Sequence, residues 1–169
     1  MRDSRQRPTE RRGLFRALRR PCSKHHSNPT ERCIEVPPVH LQAFVIEDNP
    51  TIRENLIGTL EELTCVHVAG TSASEDEALE WLEGNKDSWD IMIVDLFLKQ
   101  GSGMHLAQVV KRRRPSQKII VFSNYINPSV RKRCAQIGVD AVFDKSTEID
   151  ALVDYCAHQC FRVSQVQAA

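Results

Sequence analysis

The chain has 169 residues, enough for one ordinary domain with a sound core. Its 41% hydrophobic content suits a globular protein, and no apolar run approaches the ~20 residues needed to span a bilayer. A formal charge of +1 hides a basic arm before an acidic domain: residues 1–40 carry ten Lys/Arg against four Asp/Glu, and 41–169 carry thirteen against eighteen.

Residues 1–39 are rich in Arg, Pro and Ser and poor in apolar side chains. Such a composition cannot offset ordering entropy, so a disordered basic extension is expected, with Pro37-Pro38 at its boundary. Leu14, Phe15 and Leu18 would line two turns of basic helix, too short to stand alone. Arg11-Arg12 lacks the apolar stretch of an export signal. Cys22, His25, His26 and Cys33 match no familiar zinc spacing. A basic arm can meet nucleic acid or anionic lipid, but a solvated tail is the plainer reading. No signal peptide is visible, so all six cysteines are expected as thiols in a reducing, cytoplasmic setting, those of the domain buried.

From residue 41 the pattern alternates. "LQAFVIED" (41–48) reads as a strand, and Asn49-Pro50 opens a helix striped by Ile52, Leu56, Leu60 and Leu63. "VHVAG" (66–70) is a short strand. Ser74 and Glu77 have capping-box spacing for a helix to about Glu83, stopped by Gly84-Asn85. "DIMIVDL" (90–96) is apolar on both faces, as a central parallel strand must be. A loop with Gly101 and Gly103 leads to a helix ending at Lys111–Arg114. "KIIVFSN" (118–124) is another buried strand, and Asn127-Pro128 opens a helix that stops at Gly138. "DAVFDK" (140–145) is the fifth strand, with Ser146 or Thr147 capping a last helix. The domain is expected over 40–161 and a tail over 162–169. Five strand–helix units predict an α/β fold with a five-stranded parallel sheet covered on both faces.

In such sheets ligands sit beyond the carboxyl ends of the strands. Those ends supply Glu47 and Asp48, Asp95, Ser123 and Asn124, and Lys145. Taken singly, each has an ordinary explanation as a cap, a turn residue or a surface charge. Together they place three carboxylates and one ammonium at one edge. Two carboxylates ~5 Å apart repel by ~3 kcal/mol at an effective dielectric near 20. A hard divalent cation removes that penalty, and an oxygen-rich set suits Mg2+. Three carboxylates, Mg2+ and Lys145 then sum to zero.

With the acidic pair "ED" (47–48), Asp95 in "IVDLFLKQGSG", Ser123 in "VFSN" and Lys145 in "DKS", the domain resembles the receiver domain of two-component response regulators. The resemblance covers about 41–161. It implies a flavodoxin-like, doubly wound sheet of strand order 2-1-3-4-5. It implies phosphorylation of Asp95 by a histidine kinase or histidine phosphotransfer protein, with Ser123 and Lys145 on the phosphoryl oxygens. Asp48, Asp95, the Phe97 backbone carbonyl and Glu47, directly or through water, would hold Mg2+, with Mn2+ as substitute. The amides of Leu96 and Asn124 would complete the cradle. Such a protein is no enzyme beyond its own phosphorylation and dephosphorylation, and it signals to a downstream protein target.

Three positions depart from the family pattern: Lys99 and Ser146 where Pro is common, and Val142 where an aromatic switch is common. Phe97 and Tyr125 are expected to flank the path of the water that removes the phosphoryl group. Only 24 residues follow Lys145, so a stand-alone regulator is expected. Two other readings of the domain stay open. A flavodoxin-like binder of a small molecule or nucleotide needs a Gly-rich turn after the first strand, where Asp48-Asn49-Pro50 stands. A non-phosphorylated interaction module would keep the fold without the chemistry. The acidic balance of the domain makes DNA an unexpected partner, and no membrane association is expected of it.

Overall fold

The computed structural model describes residues 40–167. What was expected of the arm lies outside those residues. Five strands form one parallel sheet in the order β2-β1-β3-β4-β5, comprising β1 (Leu41–Ile46), β2 (Val66–Ser72), β3 (Ile91–Val94), β4 (Lys118–Ser123) and β5 (Ala141–Asp144). Between and after them run α1 (Pro50–Leu63), α2 (Glu75–Gly84), α3 (Gly103–Val109), α4 (Pro128–Ile137) and α5 (Ile149–Gln167). This is the expected doubly wound order.

Alternation along the strands divides the core. Phe44, Ile46, Met92, Val94, Ile119 and Val121 face α2, α3 and α4, through Ala78, Leu82, Leu106, Ala107 and Cys134. Ala43, Val45, Ile91, Ile93, Ile120 and Phe122 face α1 and α5, through Leu56, Leu60, Leu152 and Cys156. All four residues of β3 are buried, because the central strand has helices on both faces. A register shift between Ala43 and Phe44 puts one extra β2 residue against β1.

The caps are those the composition points to. The Asn49 side chain accepts from the Thr51 and Ile52 amides at the start of α1. The Ser74 hydroxyl accepts from the Glu77 N–H, and Glu77 reaches back to the Ala73 N–H at 3.0 Å. The Asn127 side chain opens α4 through the Val130 N–H, and Gly138 closes it in the left-handed conformation. β1, β3, β4 and β5 are shorter than the patterns suggested, so Glu47, Asp48, Asp95 and Lys145 lie just past their ends, while β2 runs two residues further, to Ser72. No described helix is long and apolar enough to cross a membrane.

Three expectations need correction. Residues 145–147 form a turn on Asp144, whose carbonyl accepts from Thr147 and Glu148, so the last helix begins at Ile149 and neither Ser146 nor Thr147 caps it. That helix continues to Gln167, through most of the segment expected as a tail. Cys65 and Cys160 are joined by a disulfide rather than being free thiols. Cys65 links α1 to β2, and α5 packs on α1 across the same sheet face. Four residues rotate a helix by a turn plus about 40°, so Cys156 enters the core while Cys160 reaches Cys65. Cys134 and Cys156 remain buried thiols, and burial pushes the Cys156 thiol up to about 12.

Candidate functional site

The strand ends bring the expected side chains together. Glu47 follows β1 with only 2% of its surface exposed. Its N–H donates to the Ser72 carbonyl at 3.0 Å, and Arg53, one turn into α1, donates to its carbonyl at 2.7 Å. One carboxylate oxygen accepts the Asn49 N–H at 3.1 Å. The other pairs with Lys145 Nζ. Asp95 follows β3, its N–H donating to the Ile46 carbonyl at 3.0 Å. Its Oδ1 accepts from Ser123 Oγ at 2.6 Å and from the Phe97 N–H at 3.2 Å. Its Oδ2 accepts from Lys145 Nζ at 2.5 Å. Lys145 is almost enclosed between two buried carboxylates, and its own N–H is fixed to the Ser123 carbonyl at 3.1 Å.

Carboxylate oxygens of Glu47, Asp48 and Asp95 all lie within 4.8 Å of one another. Two charges at that separation repel by about 3 kcal/mol at an effective dielectric near 20; Lys145 pairs with Glu47 and Asp95 and not with Asp48, so three carboxylates face one shared ammonium. The donors are all hard oxygens on two adjacent strands, the set a hard divalent cation prefers. The residues therefore fit Mg2+. The N–H groups of Leu96 and Asn124 make no hydrogen bond among the described residues, which leaves both donors available. Phe97 is within two residues of Asp95 and is 56% exposed.

Two loop glycines shape the rim. Gly103 begins α3 against the Asp95 carbonyl oxygen, and a Cβ there would overlap that oxygen. Gly101 takes φ +95°, with the Glu75 side chain beneath it. Glu75 accepts from the Ser102 N–H at 2.6 Å, pairs with His105, and donates its own N–H to the Gln100 carbonyl. The loop after β3 is thus pinned to the start of α2. The His105 hydrogen bond, then that from Ser102, holds the Glu75 carboxyl below its ordinary value near 4.5.

Sequence patterns missed Glu75 as a loop anchor, since an acid in the first turn of a helix is explained by the helix alone. They also missed what Lys99 does: its N–H donates to Asp48 Oδ2 at 3.2 Å, and its Nζ lies 3.4 Å from that oxygen. Val142 is half-buried against the α2–α4 core, with no ring to turn. Phe97 and Tyr125 meet edge to face, centroids 5.7 Å apart, and Tyr125 is 72% exposed. The two rings thus meet each other at the rim of the site, a contact the sequence pattern did not specify.

Residues 43–157 match the family described as response regulator receiver domain. Among curated relatives, the methanol utilization control regulatory protein MoxX of Paracoccus denitrificans is 22% identical over 63% of this chain and 48% of its own length. The response regulator protein VraR of Staphylococcus saprophyticus is 22% identical over 68% and 54%. The chain thus spans about half the length of these relatives. A LuxR-family DNA-binding response regulator from Staphylococcus aureus superimposes with TM-score 0.63 at 15% identity, over 71% of this chain and 98% of that one. The isolated REC domain of RcsB from Salmonella enterica serovar Typhimurium, solved in the presence of phosphomimetic BeF3-, gives 0.58 at 23%, over 67% and 85%.

Proposed function

The chain belongs to the response regulator receiver domain family, and from that premise we propose that it accepts a phosphoryl group on Asp95 and signals through protein–protein contacts. The observation that supports this is the convergence of Glu47, Asp48 and Asp95 around Lys145 and Ser123. A phosphohistidine of a histidine kinase or phosphotransfer protein presents its phosphorus to an Asp95 oxygen. The P–O bond forms as the P–N bond breaks, and the electron pair of that bond stays with the donor imidazole. Lys145, already on Asp95, follows the charge onto a phosphoryl oxygen. Ser123 exchanges its bond to Oδ1 for one to the incoming group. The Leu96 and Asn124 amides take remaining oxygens.

Mg2+, or Mn2+ in its place, would be held by Glu47, Asp48, Asp95 and the Phe97 carbonyl, and when bound it would offset negative charge on the transferring group. The protein's own part is placement: burial, one cationic donor in Lys145, one neutral hydroxyl donor in Ser123 and a short nucleophile. Water later cleaves the aspartyl phosphate.

The finer parts of the reading are a stand-alone cytoplasmic regulator and a downstream protein target. A family with DNA-binding members makes DNA the competing output; the acidic balance of 41–169 favours protein. A mobility shift at physiological salt, with and without acetyl phosphate, separates the two.

The central test is phosphate incorporation from acetyl phosphate or a cognate kinase. Labelling is expected only with Mg2+ or Mn2+, and Asp95→Asn abolishes it. Normal labelling of that variant would sink the assignment. No labelling of the wild type under any donor would favour a non-phosphorylated interaction module.

A further inference from the structure

Asp48 differs from the other two carboxylates of the cluster: its cationic partner is not Lys145 but Lys99, which meets it twice. The Lys99 N–H donates to Asp48 Oδ2, and the ammonium stands 3.4 Å from the same oxygen. The backbone contact fixes where this lysine starts, because the loop that carries it is pinned by Glu75 at Gln100 and Ser102. The anion is mostly covered, with 13% of its side chain exposed, whereas the Lys99 side chain is 77% exposed. A solvated cation on a four-carbon stem therefore rests against an anion that cannot move away.

We infer that Lys99 is an internal competitor for the divalent cation, occupying Asp48 in the metal-free site and lowering the resting affinity for Mg2+. This rests on the reading of Glu47, Asp48 and Asp95 as the metal centre. The formal charges give the consequence. Three carboxylates with Lys145 and Lys99 sum to −1. A dication takes the sum to +1 while Lys99 remains near. Replacing the Asp95 carboxylate by an aspartyl phosphate dianion returns it to zero. Lys99 thus opposes the cation in the resting protein, and the negative charge that phosphorylation adds offsets that opposition. It acts through charge on Asp48 alone, with no contact to Asp95 among those of the described residues.

The test is calorimetric titration of the unphosphorylated full chain with Mg2+ and with Mn2+, at low and at physiological salt. An exposed ion pair corresponds to a factor of roughly two to five in an equilibrium constant. Lys99→Gln should bind either cation tighter by that factor, with the gain shrinking as salt rises. Lys99→Arg keeps the charge and should bind as wild type does. Lys86→Gln, an exposed lysine in the turn before β3 at the opposite end of the sheet, should also match wild type. Equal affinities of wild type and Lys99→Gln would overturn the inference, and so would an equal gain in Lys86→Gln, which would reduce it to net charge. A wild type that binds neither cation would instead overturn the metal centre on which the inference rests.

Discussion

Opening the Cys65–Cys160 bridge should lower stability more than any single loss of a surface contact. The bridge joins residues 95 apart in sequence. Cross-linking a loop of that length removes conformational freedom from the unfolded chain worth up to about 4.7 kcal/mol at 25 °C in the chain-entropy account. That is a large share of the 5–15 kcal/mol typical of a domain. For a domain of this size about 1 kcal/mol moves Tm by roughly 4 °C, so reduction should lower Tm by on the order of 10–20 °C. The assay compares thermal melts of oxidised protein, protein in reductant, and the Cys65→Ser/Cys160→Ser variant. Non-reducing peptide mapping verifies the cross-link in the oxidised sample. The variant should melt with the reduced protein and ignore reductant. A verified cross-link whose removal leaves Tm unchanged would refute the reasoning. So would oxidised protein that yields no linked Cys65 and Cys160 peptides.

Two further outcomes follow from the rim of the site. Removing the edge-to-face pair with Phe97→Ala/Tyr125→Ala should speed loss of phosphate by about two- to tenfold, the worth of one aromatic pair; equal rates in wild type and variant would show that the rings do not screen the water. The depressed Glu75 carboxyl stabilises the folded state above its unfolded value near 4.5, and that contribution is lost as pH falls through the lower folded value. The stability gap between wild type and Glu75→Gln should therefore be level above about pH 5 and close at more acid pH. A gap that widens on acidification would contradict the loop anchor.

Much of this molecule is legible because its signals are local. Asn49-Pro50, Ser74 with Glu77, and Asn127-Pro128 each announce a helix within four residues. The apolar runs of β3 and β4 announce burial on both faces. Glu47-Asp48 is readable as a site because two acids straight after a buried strand have no packing explanation. What escaped depends on contacts that no spacing encodes. Lys99 reaches Asp48 only because Glu75 sets the path of a loop. Cys160 reaches Cys65 only because α1 and α5 share a face, a contact between residues 95 apart that no local spacing announces. The start of α5 shifted because the Asp144 carbonyl and the Glu148 side chain organise a turn before the helix.

The placement of Lys145 has a mechanical side. It follows β5, at the edge of the sheet, yet its ammonium ends on Glu47, which follows β1. On a flat sheet those strands stand three spacings apart, about 14 Å. The side chain is thus a cross-brace, tying the outermost strand to β1 over the tops of β4 and β3. A phosphoryl group on Asp95, as proposed above, would compete with Glu47 for that brace. Were the ammonium to shift toward the new anion, the load it carries between β5 and β1 would shift with it. The turn at 145–147 and the first residues of α5 hang directly from the braced end. An event confined to one oxygen atom would then be felt as slack or tension along the margin of the sheet, with no aromatic ring needed to carry it.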